Sequence, residues 1–163
     1  MEHFGLWHAS FTVSDLDRAI AFYRDILGWE LVHRQVQHDP YTARLVGYPD
    51  ADIEVAQFAI PGQPRGISTH DLELVHYRTP AGVARAIEIR DPGEAHVAIA
   101  VEDADAEYSR LVGLGVEFLS PPNEITAGVN TGGKACYFKG FDGVHLELLQ
   151  PPTHRIDAWR AIR

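Results

Sequence analysis

Between Leu6 and Glu30 the chain reads LWHASFTVSDLDRAIAFYRDILGWE. Positions alternate over the first part, the period of a strand. Leu16, Ile20 and Tyr23 then recur at helical spacing, and Gly28-Trp29-Glu30 leads into a second apolar run. Ser14 with Asp17 has the form of a capping box at the start of that helix. The pattern returns once. HVAIAVEDADAEYSRLVGLGVEFL stands 88 residues further on, His8 against His96. Val13 then meets Val101, Asp15 meets Asp103 and Asp17 meets Asp105, and the stripe Leu16, Ile20, Tyr23 meets Ala104, Tyr108, Leu111. After a one-residue slip Gly28 meets Gly115, Glu30 meets Glu117 and Leu31 meets Phe118. A glycine closes each helix, as a left-handed C-cap requires.

The ends of the two copies also agree. DLELVHYRTP from Asp71 sets against HLELLQPPTH from His145, pairing Glu73 with Glu147 and Leu74 with Leu148. Each copy therefore predicts a strand, a helix and three further strands. The strands fall at about 7–13, 29–36, 53–60 and 70–77, then at about 95–101, 116–119, 134–140 and 144–149. QHDPYTARLVGYPDAD and SPPNEITAGVNTGG, between strands two and three of each copy, read as long loops of the kind that form lids or bind ligands. TPAGVARAIEIRDPGE is the connector. The predicted organisation is one α+β domain, residues 1–152, built of a first module over about 5–82 and a second over about 93–152, with residues 153–163 as a C-terminal tail able to form a short amphipathic helix.

Strand alternation sorts the chemistry. Ala9, Phe11 and Val13 share one face; His8, Ser10 and Thr12 share the other. Val97, Ile99 and Val101 likewise oppose His96, Ala98 and Ala100. Leu72 and Leu74 oppose Glu73, and Leu146 and Leu148 oppose Glu147. One face of each strand suits packing under a helix; the other carries a histidine or a glutamate. Taken alone, each of these four reads as a structural histidine or a solvent-facing glutamate. Their repetition in two copies of one unit favours a shared role. If the sheet curls so that those faces line a cavity, His8, Glu73, His96 and Glu147 converge. Carboxylates flanked by aliphatic residues then need a cation, and two imidazoles with two carboxylates suit one divalent Mn, Fe, Co, Ni or Zn ion.

Composition narrows the function classes. Of 163 residues 45% are apolar and 23% charged, and the net charge is −9. An acidic chain without a Lys/Arg cluster is a poor partner for nucleic acid or an anionic membrane. No run approaches the ~20 apolar residues of a membrane span. The first ten residues, MEHFGLWHAS, lack a basic n-region and a long apolar stretch, so no signal peptide is expected. Cys136 is the single cysteine, which precludes an intramolecular disulfide and fits a cytoplasmic location.

The segments HASFTVSDLDRAIAFYRDILGWE, LELVHYRTPAG, HVAIAVEDADA and FDGVHLELLQP together resemble the vicinal oxygen chelate superfamily over residues 5–152. That superfamily includes glyoxalase I, methylmalonyl-CoA epimerase, extradiol dioxygenases and bleomycin- and fosfomycin-resistance proteins. The resemblance implies paired βαβββ modules in an open, metal-centred barrel, a small-molecule substrate and a homodimer. It places the family's ligands on His8, Glu73, His96 and Glu147, the four that strand parity selects. A carboxylate at Glu73 favours the glyoxalase and epimerase branch, a lyase or isomerase working through an enediolate. The alternatives are an Fe(II) extradiol dioxygenase, which uses three protein ligands, and a non-catalytic antibiotic-binding protein, whose relatives often lack the ligands. Glu147 is the first candidate base, since a ligating carboxylate can detach, and His145 on the same face is the second. Tyr137, on the preceding strand, is a candidate hydrogen-bond donor to substrate. The resembling epimerases carry a third-strand glutamate base; here Asp50, Asp52 and Glu54 lie near that place, and Asp50 aligns best. His33, His38, His70 and His76 read as surface or loop residues.

Overall fold

The two aspartates that the repeat aligns, Asp15 and Asp103, start the first helix of each module. In the computed structural model, which describes residues 2–86 and 88–161, each lies in extended backbone and its carboxylate accepts from helical N–H groups: Arg18 in one case, Asp105 and Ala106 in the other. The first cap is thus Asp15, one residue beyond the expected Ser14, because Asp15 is the residue from which a side-chain oxygen reaches the third helical N–H.

The chain divides after Arg85 into two compact units of one plan. Unit one runs β1 (Ala9–Thr12), α1 (Leu16–Ala21), β2 (Glu30–Gln37), α2 (Pro40–Val46), β3 (Asp52–Ala59) and β4 (Leu72–Thr79). Its mixed sheet has the order β1-β4-β3-β2, with β1 parallel to β4 and the other pairs antiparallel. Unit two runs β5 (His96–Ala100), α3 (Ala104–Gly113), β6 (Asn123–Glu124), β7 (Lys134–Lys139), β8 (His145–Gln150) and α4 (Thr153–Ala161). Its sheet repeats the order as β5-β8-β7-β6, again with the outer pair β5 and β8 parallel. Both sheets are open, and the α+β, βαβββ architecture is the predicted one. Among the described residues no helix is long and apolar enough to cross a membrane.

The cores follow the alternation. In unit one Leu16, Ala19 and Ile20 of α1 and Tyr23 in the π-helical turn after it are buried, as are Phe58, Leu72 and Leu74 on the strands; the Tyr23 and Phe58 rings stand 5.8 Å apart. In unit two Leu111, Cys136, Phe138, Leu146 and Leu148 are buried. Gly28 (φ 75°) and Gly115 (φ 84°) take the left-handed conformation where the chain leaves the helices, as expected.

Two connections differ from expectation. QHDPYTARLVGYPDAD holds α2, with Pro40 in its first turn, Asp39 accepting from Tyr41 and Thr42, and left-handed Gly47 at its end. Its caps were visible in the sequence, but seven residues give too short an apolar stripe to show a period. The strand expected at 116–119 is reduced to a bridge between Phe118 and Phe138, with Lys139 N–H donating to Glu117 and Leu119 N–H to Tyr137. Pro121 and Pro122 follow at once and cannot donate to a ladder, so regular pairing returns only at β6. The tail forms α4, tied by Arg160 to Glu102; Ile162 and Arg163 of the tail, and Ile87 of the connector, lie outside the described residues.

Candidate active site

The register of the parallel pairs brings a histidine to a glutamate in each unit. Ser10 on β1 faces Glu73 on β4, and His8 stands two residues before Ser10. Ala98 on β5 faces Glu147 on β8, and His96 stands two residues before Ala98. The placement is the same in both, and in both the imidazole Nε2 is turned to the carboxylate: His8 Nε2 to Glu73 Oε1 at 3.8 Å, His96 Nε2 to Glu147 Oε2 at 3.2 Å.

Each glutamate sits between leucines that are buried on the helix side of its strand, Leu72 and Leu74 or Leu146 and Leu148. Glu147 itself is 8% exposed. A carboxylate so placed loses hydration and needs a cation or several donors in return. Glu73 has one added donor, the Gln57 amide at 3.1 Å from the neighbouring strand β3. Each imidazole–carboxylate pair therefore fits a divalent ion in its donor chemistry, a mixed N/O set.

Unit one adds a histidine that periodicity did not find. His70 precedes β4 in a loop, yet it is 5% exposed, so its expected surface position is corrected. Its Nε2 lies 2.8 Å from His8 Nδ1, and its Nδ1 is buried without a hydrogen-bond partner among the described residues. Burial, with the charge of His8 second, pushes the His70 imidazole pKa down. Ligand atoms of His8, His70 and Glu73 all lie within 4.8 Å of one another. His33 and His38 are exposed, as read, whereas His76 lies half-buried on β4 and donates through Nδ1 to the Val13 carbonyl, which corrects its expected surface or loop place.

Unit two adds a partner for His145. That histidine is 5% exposed on β8, and its Nδ1 meets Glu94 Oε1 at 2.7 Å. Glu94 lies just before β5, outside any strand, where sequence alternation carries no signal. Tyr137 pairs with Glu147 across β7 and β8, and its ring packs edge-on against His96 at 5.1 Å. Burial, and then the Glu147 charge, raise the Tyr137 pKa, so the phenol keeps its proton and remains a donor. Cys136, on the opposite face, is pushed up to about 11 by burial first and the Glu147 charge second.

The third-strand carboxylates separate into two kinds. Asp52 pairs with Arg78 at 2.5 Å, and Glu54 lies 3.6 Å from Arg34 and 3.5 Å from Arg78. Asp50 lies exposed in the turn before β3 and makes no ion pair among the described residues.

The family model of the Glyoxalase/Bleomycin resistance protein/Dioxygenase superfamily matches residues 5–148. The chain belongs to that superfamily. Within it the chain is 34% identical over 151 residues to a protein of Actinomyces sp. named 2-epi-5-epi-valiolone epimerase, covering 90% of this chain and 79% of that one. A glyoxalase family protein of Bacillus cereus superposes with a TM-score of 0.75 at 26% identity, over 93% of this chain and 97% of the other. The trypanothione-dependent glyoxalase I of Leishmania major shares the fold, with a TM-score of 0.63 at 22% identity, over 99% and 96% of the two chains. The segment matched to the superfamily takes in His8, Glu73, His96 and Glu147.

Proposed function

We propose that the chain is a metal-dependent epimerase, an isomerase of a small substrate that carries a hydroxyl beside a carbonyl. The observation that carries this reading is the imidazole–carboxylate pair built twice at the same register, His8 with Glu73 and His96 with Glu147. In this proposal His8 and Glu73 of the first module, and His96 and Glu147 of the second, are the metal ligands, as the superfamily resemblance implies. When bound, the ion supplies Lewis-acid stabilisation to an enediolate. Supporting the isomerase side, the Actinomyces relative is named as an epimerase, and the ketone in its name suggests the substrate class.

The protein's own groups would do the rest. Epimerisation removes the proton of the carbon bearing the hydroxyl and returns one to its opposite face. Glu147 and His145 are the proposed proton carriers. The Glu94 carboxylate holds His145 by Nδ1 and so leaves Nε2 as the nitrogen to exchange a proton. Tyr137 would donate to a substrate oxygen, and Asp50, free of arginine, is the proposed carboxylate contact on the third-strand side.

Metal analysis with His8→Ala tests the reading. The purified protein is expected to hold one divalent ion per chain, and His8→Ala to lose the ion together with epimerisation of α-hydroxy ketones. Turnover of wild-type protein stripped of metal, equal to that of the loaded protein, would overturn it. Catechols are expected to cause no oxygen consumption, which separates this reading from ring cleavage.

A further inference from the structure

His8 offers its two ring nitrogens to two different neighbours. Nε2 is turned to Glu73 Oε1 at 3.8 Å, and Nδ1 meets His70 Nε2 at 2.8 Å. In-plane lone pairs on the two nitrogens of an imidazole diverge widely, so an ion shared with Glu73 engages Nε2 and leaves Nδ1 pointing away from it. His70 lies on that far side. To reach the same ion it would have to give up its contact with His8.

We propose that His70 is a positioning residue for the metal ligand His8 rather than a ligand itself, and that it follows a change of tautomer in His8. The inference rests on the metal-dependent reading above. Without an ion, the His8 proton belongs on Nε2, beside the Glu73 carboxylate, and His70 Nε2–H donates to the bare Nδ1. With an ion on Nε2, the proton displaced from that nitrogen leaves, the His70 Nε2 proton passes to His8 Nδ1, and His70 takes one proton on its own Nδ1, so that both rings stay neutral and His70 Nε2 becomes the acceptor. One neutral imidazole serves both states, because its Nε2 either donates or accepts. A lysine or arginine could only donate; an ionised carboxylate could only accept.

The surroundings fit that role. His70 is 5% exposed, so its ring is held by packing, and Ser68 Oγ–H donates to its carbonyl at 2.7 Å, fixing the loop next to β4. The buried Nδ1 has no partner among the described residues, so the contact with His8 is the hydrogen bond the ring makes. A ligating histidine commonly places its second nitrogen against an acceptor, and loss of that partner typically costs about 10–100-fold in metal affinity.

Cobalt(II) titration of wild type, His70→Leu and His70→Gln tests this, with nitrogen-detected NMR of the histidine rings in the metal-free and loaded protein. His70→Leu is expected to bind cobalt about 10–100-fold more weakly with an unchanged d–d spectrum. His70→Gln, whose amide donates or accepts, is expected to recover most of the loss. In wild type the His8 proton is expected on Nε2 before cobalt and on Nδ1 after it. Wild type that binds no cobalt overturns the metal-dependent reading and this inference with it. If wild type binds and both variants match it in affinity, only this inference falls. It also falls alone if either variant loses a nitrogen donor from the spectrum, since His70 is then a ligand. Unfolding midpoints of both variants identify a His70→Leu loss caused by misfolding; His70→Gln then decides.

Discussion

His8 and His96 stand at equivalent places, but the protein surrounds them differently. His8 is backed by another imidazole, whereas His96 packs against the edge of the Tyr137 ring. Glu73 and Glu147 differ too, since only Glu73 receives the Gln57 amide. Glu73→Gln keeps an oxygen donor toward the proposed ion, so its loss of metal affinity is expected to be measurable by calorimetric titration but smaller than that of His8→Ala; an affinity equal to wild type would remove Glu73 from the ligand set. For Glu147, substitution by Gln removes both a ligand charge and a proposed base, and the expected fall in epimerisation is at least about 100-fold. Retention of turnover in that variant would reassign the proton transfer. Cys136 is predicted to be inert: with its pKa at about 11 and its side chain buried, the native protein should not react with a disulfide reagent at pH 8. Reaction of the folded chain would show that β7 opens.

Among the elements, α1 and α3 each depend on a single aspartate cap. Asp15→Ala or Asp103→Ala is expected to cost about 1 kcal/mol each in denaturant unfolding. The cap of α2 gives a pH signature. Hydrogen bonds to Asp39, from the Thr42 N–H first, lower its pKa in the folded protein. Its contribution is therefore complete above the ordinary carboxylate range and is lost as pH falls through the lowered folded value. Amide signals of Tyr41 and Thr42 are expected to shift in that acid window, below the titration of an unpaired aspartate. At this scale the legible and the hidden parts of the sequence divide by period. The strands that carry Glu73, His96 and Glu147, and the strand that His8 immediately precedes, alternate cleanly, so parity placed those four on the faces away from Leu72, Leu74, Leu146 and Leu148. His70 and Glu94 occupy irregular backbone just before β4 and β5, where no period says which way a side chain turns. Their nearness to the ligand strands was the signal available. The lost strand at 116–119 has the same lesson in reverse: the apolar pattern was present, but Pro121 and Pro122 stopped the ladder.

Across the whole molecule, the duplication is the organising fact. Each βαβββ unit offers one imidazole and one carboxylate at the same register, while the additions His70 and Glu94 are each particular to one copy. Function at this scale was legible to the level of the superfamily, because the repeated motifs define it. Substrate choice was not, since the connections that differ most from one another, α2 in one unit and the segment around β6 in the other, carry no ligand-specific pattern. The superfamily resemblance also leads us to propose a homodimer, for which light scattering should give twice the chain mass. The central claim is metal-dependent epimerisation through loss of a carbon-bound proton, and solvent exchange tests it most directly. Metal-loaded protein incubated with α-hydroxy ketones in deuterium oxide is expected to place deuterium on the carbinol carbon beside the carbonyl as the epimer appears, and to stop doing so when a chelator removes the ion. Epimer formed without deuterium, or exchange that persists undiminished after chelation, would contradict the account.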